Sequence, residues 1–318
     1  MVKYVQASLY LCVFMFLVFS CGTAKRGKNT TNTKMVVETA SFLDPLLPPS
    51  SNFNLKNWSL SIPVDRDHNH KPDKIYETAL NKGFESSNYF YTADDGGMVF
   101  RCPVGGLTTT TNSKYQRVEL REMLRGVDTL LKNKGVTKNN WVFGSAPKKD
   151  LQAAGAIDGE MTATLAVNKV TTTGKKNHVG RLVIGQIHAN TDEPIKIFYR
   201  KLPNNELGSV YFSHEINHGK DVYFEMVGSN KSDITNPKDG IALNEKFSYK
   251  IRVIKNDMWV TLSRENKPDI LKHVDMRKSG FDEGGQYQYF KAGLYHLNNT
   301  GEPDDYAQVT FYKLDVVH

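Results

Sequence analysis

Residues 116–124, QRVELREML, alternate charged and apolar side chains with a period of two. In a β-strand this period places Arg117, Glu119 and Arg121 on one face and the apolar residues on the other. The apolar face indicates a strand that lies on a core. The charged row is either a solvated outer face with cross-strand ion pairs or an anion clamp. Taken alone, this strand favours the solvated face.

Two further strands carry polar side chains on one face. In residues 182–188, LVIGQIH, Gln186 and His188 point to the same side at the end of an apolar strand. In residues 287–295, YQYFKAGLY, the shared face holds Tyr287, Tyr289, Lys291, Gly293 and Tyr295. Aromatic rings beside a lysine suit a sugar-binding groove, and the glycine would leave room for a ligand. The structural alternatives are a hydrogen-bonded polar pair and aromatic core packing.

Short β-type runs, separated by Gly, Asn and Asp turn signals, recur throughout residues 51–318. The predicted strands are Trp58–Val64, Met98–Cys102, Gln116–Leu124, Met161–Val170, Arg181–His188, Ile195–Tyr199, Ser209–Phe212, Val222–Val227, Phe247–Ile254, Trp259–Arg264, Tyr287–Tyr295 and Gln308–Leu314. Helical patterns are brief, at Lys74–Asn81 and Lys149–Ala154. No composition break divides this region, so we expect one all-β domain, a sandwich of two antiparallel sheets.

Residues 1–21 are typical of an export signal, because an apolar run too short to span a bilayer precedes polar sequence. The run ends at Ser20-Cys21-Gly22, which resembles a bacterial lipobox and predicts lipidation of Cys21. Cleavage without lipidation is the alternative, since Phe19 is bulky for that pattern. Residues 22–50 have the composition of a flexible tether. We therefore expect an exported protein, either an outer-membrane or cell-surface lipoprotein or a secreted protein.

The chain has 318 residues and a formal net charge of +7, with 39% hydrophobic and 24% charged residues. This composition excludes wholesale disorder. Removing residues 1–50 reduces the net charge to about +4, and no clustered Lys/Arg run indicates nucleic-acid binding. Cys12 and Cys21 belong to the signal. Cys102 then stands alone in the domain, which is typical of a small core residue.

The three polar strands together resemble the signature motifs of the alginate lyases of polysaccharide lyase family 7. The family forms R-[ST]-E-L-R, Q-[IV]-H and Y-F-K-A-G-x-Y have counterparts, in this order, at residues 117–121, 186–188 and 289–295. Residues 57–64 resemble the family's opening strand, so the similarity covers nearly all of residues 51–318.

Two positions depart from the family pattern. Val118 replaces the usual Ser or Thr, but strand parity points it away from the polar face, so we expect little effect. His296 and Leu297 follow Tyr295 where Asn-Gln is common. This second departure concerns substrate preference rather than chemistry.

The resemblance implies a β-jelly roll with a concave groove that cleaves alginate by β-elimination, without a metal or organic cofactor. It makes His188 the base that takes the C5 proton and Tyr295 the acid that protonates the leaving oxygen. Where the C5 proton faces Tyr295 instead, the tyrosine would serve as both base and acid. Gln186, together with Arg117 or Arg121, would neutralise the uronate carboxylate.

The remaining polar residues of this face are expected to bind substrate: Glu119, Lys291, Tyr289 and Tyr287. Lys291 would hold a neighbouring carboxylate or lower the pKa of Tyr295. Ile187 in the Q-I-H motif favours guluronate-containing chains, and we expect a monomer. The alternative from another class is a non-catalytic jelly-roll module that binds acidic polysaccharide, which would have no use for a complete His188 and Tyr295 pair.

Two other patterns resemble metal sites. His214-Glu215-Ile216-Asn217-His218 spells the H-E-x-x-H zinc motif, but its strand-like flanks predict a hairpin instead of the helix that zinc binding needs. Asp65, Asp67, Asn69 and Asp73 alternate like the start of a calcium loop. His70 occupies the sixth position, where such a loop has glycine, so a solvated turn is expected rather than a calcium site.

Overall fold

The computed structural model describes residues 42–109 and 113–318, and it confirms the all-β prediction. In this part of the chain, three short helices accompany the strands: α1 Pro49–Asn52, α2 Glu77–Asn81 and α3 Lys148–Ala153. The strands are β1 Trp58–Ser61, β2 Lys74–Ile75, β3 Phe90–Thr92, β4 Met98–Pro103, β5 Arg117–Glu122, β6 Trp141–Val142, β7 Ala156–Ile157, β8 Gly159–Lys169, β9 Arg181–His188, β10 Ile195–Arg200, β11 Leu207–Glu215, β12 Asp221–Val227, β13 Ile241–Ala242, β14 Phe247–Ile254, β15 Asp257–Arg264, β16 Ile270–Asp275, β17 Tyr289–His296 and β18 Tyr306–Val317.

All the described strands except β6 and β7 form two antiparallel sheets that enclose the main core, and β6 and β7 form a separate parallel pair. The first sheet has the order β12-β11-β10-β9-β17-β5-β1-β2, with β13 paired to β11. The second sheet has the order β16-β15-β14-β8-β18-β4-β3. Consecutive neighbours in these orders are often distant in sequence, so crossovers between the sheets build the jelly roll.

The alternation of apolar residues explains why these segments form half-buried strands. In β14 the side chains of Phe247, Tyr249, Ile251 and Val253 are buried, while the residues between them face outward. Across the core, Val118 of β5 is fully buried, as its parity predicts. Burial of these side chains provides most of the driving force for the sandwich.

Two boundaries differ from the prediction. The helix predicted over Lys74–Asn81 begins only at Glu77, because Lys74 and Ile75 pair with β1. Residues 42–50, part of the predicted tether, lie against the domain, and the Thr92 hydroxyl donates to the Leu47 carbonyl at 2.7 Å. Residues 1–41 lie outside the described part of the chain.

Cys102 is a buried free cysteine in the core, as its lone occurrence in the domain predicts. Burial raises the pKa of its thiol well above the usual value, so the side chain behaves as a small apolar group. None of the described helices, of which Lys148–Ala153 is the longest, has the length and apolar character needed to cross a membrane.

Candidate active site

The three polar strands predicted from the sequence are direct neighbours, in the order β9-β17-β5 at the centre of the first sheet. Tyr289 lies opposite His188, and Tyr295 lies opposite Arg117. Lys291 lies between the other two strands, opposite both Gln186 and Arg121. Opposed residues share a face, so strand pairing alone collects these polar groups on one surface.

A β-bulge sets which residues of β9 face this surface. The pairing of β9 with β10 shifts at Ile184, so that Val183 and Gln186 point to the same side. Gly185 lies so close to the opposite sheet that a Cβ there would be 2.4 Å from the Tyr249 hydroxyl oxygen. That hydroxyl donates to the Ile184 carbonyl at 3.0 Å.

Gly293 has a different role from the predicted one. Its φ of 128° lies in a region that favours glycine, and a Cβ there would be 2.9 Å from the Phe100 ring of the opposite sheet. The missing side chain therefore makes room for core packing. The expectation that Gly293 admits a ligand is wrong.

Glu119 is the centre of the polar cluster. Its carboxylate accepts from Arg117 Nη1 at 3.0 Å, from Lys291 Nζ and from Gln186 Nε2. This carboxylate already accepts from three donors and carries the same charge as an acidic sugar, so it is unsuited to the substrate contact that the sequence suggests. We propose instead that Glu119 fixes the positions of Arg117, Lys291 and Gln186.

The charges in this cluster affect one another strongly. Burial would raise the pKa of Glu119, but Lys291 and Arg117 outweigh it and lower the pKa below its usual value. Burial and the nearby Arg117 lower the pKa of Lys291 to about 8, against the opposing effect of Glu119. The cluster therefore holds an ionised carboxylate and a cationic donor set at neutral pH.

His188 is held in one orientation and one tautomer. Its ring stacks on Tyr289 with centroids 5.1 Å apart and an interplanar angle of 10°. Nδ1 lies 2.7 Å from the Ala189 carbonyl, so it carries the proton and donates to that oxygen, and Nε2 keeps its lone pair. Burial lowers the pKa of His188, which favours the neutral imidazole.

Glu193, which the sequence analysis missed, lies beside this base. Its Oε1 is 3.4 Å from His188 Nε2. Lys196 Nζ lies 3.1 Å from Glu193, 2.8 Å from Glu215 and 3.3 Å from Asp221. Burial would raise the pKa of Glu193, but His188 and Lys196 outweigh it and hold the pKa at about 2. Glu193 lies in a loop after β9, where no hydrophobic periodicity predicts which way a side chain points. Its position five residues after His188 is the only sequence signal that it lies beside the base.

Tyr295 lies at the edge of the cluster and keeps its proton. The Arg117 guanidinium carbon is 3.8 Å from the centroid of its ring. Burial raises the pKa of Tyr295, and the opposing effect of Arg117 is smaller. Of the two roles expected for Lys291, the structure shows the first, because its amine is paired with a neighbouring carboxylate, that of Glu119.

Arg121 and Arg117 have different surroundings. Arg121 donates to the Asn133 carbonyl at 2.8 Å and to Asn140 Oδ1 at 3.2 Å, and its guanidinium carbon lies 3.9 Å from the centroid of the Tyr289 ring. It therefore ties the loop after β5 to the sheet. Of the two arginines proposed from the sequence, only Arg117 contacts the ring of Tyr295.

The remaining predicted residues lie around this centre. Tyr287 is 4% exposed, with its ring centroid 6.4 Å from that of Tyr289, so it supports that ring from the interior. His296 is buried, and its Nδ1 lies 3.1 Å from Gln116 Nε2. Leu297 packs with Val183 in an apolar cluster against Tyr295.

The H-E-x-x-H sequence forms a strand end and a turn, as predicted. His214 donates from Nδ1 to the Pro194 carbonyl at 2.7 Å, and its Nε2 accepts from the Ser279 hydroxyl at 2.6 Å. His218 lies in the following turn with a φ of 58°. Both nitrogens of His214 are thus engaged within the protein.

Asp65, Asp67 and Asp73 approach one another, with one oxygen of each within 4.8 Å of the others. Asp65 accepts from the backbone N–H of Asn69 at 2.9 Å and of His70 at 2.7 Å. Asp73 is paired with Arg66. These contacts are those of a hydrogen-bonded turn.

The comparisons with known proteins agree on one family. A family profile described as alginate lyase matches residues 53–318. An alginate lyase from Klebsiella pneumoniae is 50% identical over 279 residues, which cover 85% of this chain and 91% of that protein.

Solved structures give the same relationship. The crystal structure of an alginate lyase from Klebsiella pneumoniae has a TM-score of 0.84 at 50% identity, covering 85% of this chain and 98% of that one. A family 7 alginate lyase in complex with a product written GGG has a TM-score of 0.61 at 27% identity, with 86% and 99% coverage. The chain therefore belongs to the alginate lyases of polysaccharide lyase family 7, an enzyme family, and is not a non-catalytic sugar-binding module.

Proposed function

We propose that this protein cleaves alginate by β-elimination on the concave surface formed by β9, β17 and β5. His188 takes the C5 proton of a uronate, and Tyr295 protonates the leaving glycosidic oxygen. Arg117 and Gln186 neutralise the uronate carboxylate. The observation that carries this proposal is the strand register, which places His188 and Tyr295 on the same face of adjacent strands as Arg117 and Gln186, the two donors held by Glu119.

The chemistry requires the carboxylate to be neutralised first. A uronate C5–H is weakly acidic because the adjacent carboxylate is already negative. Donors aimed at the charge that develops there lower the barrier, typically by about 3–4 kcal/mol for one donor. Arg117 and Gln186 are held by Glu119, so they need little reorganisation when the substrate arrives.

The elimination then transfers the C5 proton to the base and cleaves the C4–O bond on the other side of the new double bond. The C5 proton passes to His188 Nε2, the electron pair forms the C4–C5 double bond, and the C4–O bond breaks. The leaving oxygen takes the proton of Tyr295. Glu193 stabilises the imidazolium that forms, because its carboxylate lies 3.4 Å from Nε2.

We propose activity on guluronate-containing blocks, on the basis of Ile187 in the Q-I-H motif. Ile187 is fully buried in the core, so it does not touch the substrate. Its effect would be indirect, through the positions of its neighbours Gln186 and His188.

The test is to incubate the purified protein with polyguluronate, polymannuronate and mixed-block alginate, and to follow the ultraviolet absorbance of the unsaturated product. We expect absorbance to rise with alginate and to rise fastest with guluronate-containing blocks. Binding of alginate without any absorbance change would contradict the proposal. Equal rates on all three polymers would remove only the block preference.

We further propose that the protein is exported as a lipoprotein anchored at Cys21, acts as a monomer and needs no metal ion. Cys21 lies outside the described residues. Lipid labelling in the bacterial host should be lost in the Cys21→Ala variant, and sedimentation should give the mass of one chain. Activity should survive excess EDTA. Full labelling of the Cys21→Ala variant would contradict lipidation at Cys21. A dimer mass would contradict the monomer, and loss of activity in EDTA would contradict metal independence.

A further inference from the structure

Lys74 lies on the same face of the sheet as the proposed active site but far from its centre. In register, Lys74 opposes Ser61 of β1, and Ser61 opposes Glu119 of β5. Opposed residues share a face, so Lys74 faces the groove side. β2 is three strands from β17, and strands are spaced by about 4.8 Å, so the two are about 14 Å apart.

The ammonium group of Lys74 has no acidic partner within 4.0 Å among the residues that the structure describes. Glu77, in the following helix α2, is bound to Arg125 at 2.8 Å. Burial, together with Arg121 and Arg125, lowers the pKa of Lys74 to about 8 against the opposing effect of Glu77. Such a partly buried cation is stabilised by an added anion.

Two other basic side chains, Arg66 and Lys250, differ in this respect. Arg66, in the turn beside Lys74, is paired with Asp73. On the second sheet, Lys250 pairs with Glu160 at 2.9 Å. Their charges are already balanced within the protein, whereas that of Lys74 is not.

An aromatic ring lies next to this cation. Tyr76 is 49% exposed, and its ring centroid lies 4.8 Å from Lys74 Nζ. An open pocket adjoins them, and its lining also includes Arg66, Lys71, Asp67 and Asp73. Of the two carboxylates, that of Asp73 is paired with Arg66. An exposed ring beside an ammonium group offers a sugar a flat face and offers its carboxylate a charge.

We propose that Lys74 and Tyr76 form a distal subsite that binds a uronate carboxylate and ring of the polymer, several sugars away from the bond that is cleaved. This inference rests on the proposed function, because it takes a polyuronate as the ligand. The subsite lengthens the groove beyond Arg121 toward the edge strand β2. It contributes binding energy for long chains and leaves the chemical step unchanged.

The test compares Lys74→Met with Lys272→Met, which removes the same charge from an exposed position on β16 of the other sheet. Rates are measured on long polyguluronate and on a short oligomer that fills only the catalytic centre. For Lys74→Met we expect KM on the long polymer to rise about tenfold, equivalent to about 1.4 kcal/mol, with kcat unchanged. The short oligomer should be cleaved at the wild-type rate.

Lys74→Arg keeps the charge and should restore most of the affinity. In the wild type, KM for the long polymer should rise above pH 8 by more than KM for the short oligomer, because Lys74 acts only on the long polymer whereas Lys291, whose pKa is also about 8, acts on both. Lys74→Arg should remove this difference between the two substrates. Thermal melting of each variant verifies folding. Equal KM values for Lys74→Met and Lys272→Met on the long polymer would overturn the subsite while leaving the lyase activity intact. An inactive wild type would instead overturn the proposed function.

Discussion

Two lysine–glutamate pairs on opposite sheets show how differently the same residue types behave. Lys291 and Glu119 pair at the centre of the first sheet, with side chains 9% and 1% exposed. Lys250 and Glu160 pair on the outer face of the second sheet, with side chains 45% and 29% exposed. Both pairs come from strands that alternate polar and apolar residues.

The difference lies in what surrounds each pair. The outer pair is solvated, and such pairs contribute about 0–1 kcal/mol. The inner pair is removed from water, and its energy depends on complete pairing with Arg117 and Gln186. A polar strand face therefore forms a buried ionic cluster when neighbouring strands supply hydrogen-bonding and charged partners and exclude water from it.

The largest effect should come from removing the proposed acid. Tyr295→Phe should lower kcat on polyguluronate about 1,000-fold, since general acid catalysis typically contributes about 10²–10⁴-fold. The matched control is Tyr115→Phe, which removes a hydroxyl from a neighbouring tyrosine. The ring centroids of Tyr115 and Tyr295 are 6.1 Å apart. Product absorbance under saturating substrate measures both. If the two variants were equally active, Tyr295 would not be the acid.

Replacing the glutamate of each pair with glutamine tests directly whether burial makes the two pairs energetically different. Glu119→Gln leaves Arg117 and Lys291 buried without a counter-charge, so the free energy of unfolding should fall by about 3–5 kcal/mol. Glu160→Gln should change it by less than about 0.5 kcal/mol. Urea denaturation of both variants gives these values. Similar losses would mean that burial does not distinguish the pairs.

Glu193→Gln should affect the base without unfolding the site. Glu193 raises the pKa of His188, so the pKa should fall in the variant and the acidic limb of the kcat profile should move to lower pH. A weaker base and an unsupported imidazolium should lower the plateau about tenfold, or about 1.4 kcal/mol.

Asp221→Asn is the control for Glu193→Gln, because Asp221 pairs with the same Lys196, at 3.3 Å. Its profile should stay close to that of the wild type. An unshifted acidic limb in Glu193→Gln would show that the carboxylate does not act on the base.

The smallest effect concerns a second histidine–glutamate pair, in which Glu122 is buried and the His318 side chain is 12% exposed. His318 Nε2 is 2.8 Å from Glu122 Oε1, and Trp141 donates to the other oxygen of Glu122 at 3.1 Å. Burial would lower the pKa of His318, but Glu122 outweighs it and raises the pKa above the usual value.

The stabilisation by charged His318 is therefore complete below about pH 6.5 and is lost as pH rises through the raised pKa. His318→Gln should lower the free energy of unfolding by about 1 kcal/mol at pH 6 and by less at pH 9. Urea titrations at the two pH values measure the difference. A loss that grows with pH would contradict the assignment.

Much of the fold followed from local patterns. The boundaries of Arg181–His188 and Phe247–Ile254 match their predictions because apolar alternation runs to the strand ends. β16, Ile270–Asp275, was missed because it is an edge strand in which only Val274 is buried. Its strand conformation depends on pairing with β15, which no local pattern reveals.

The site was predictable only in part. Strand parity and the motif resemblance identified His188, Tyr295 and Arg117, and pairing brings their strands together. The burial of Glu119 and the role of Glu193 depend on contacts between segments distant in the chain or in an irregular loop. The Cα of Gly293 faces the core because its φ is 128°, a conformation that glycine permits but that the sequence alone does not predict.

The most direct test of the central claim is the rate at which His188→Ala produces the unsaturated product from polyguluronate. The imidazole contacts the Ala189 carbonyl, Tyr289 and Glu193 but lies outside the main core, so the variant should melt close to the wild type. We predict no detectable rise in ultraviolet absorbance from the folded variant. A folded His188→Ala variant that produces this absorbance at the wild-type rate would contradict the account.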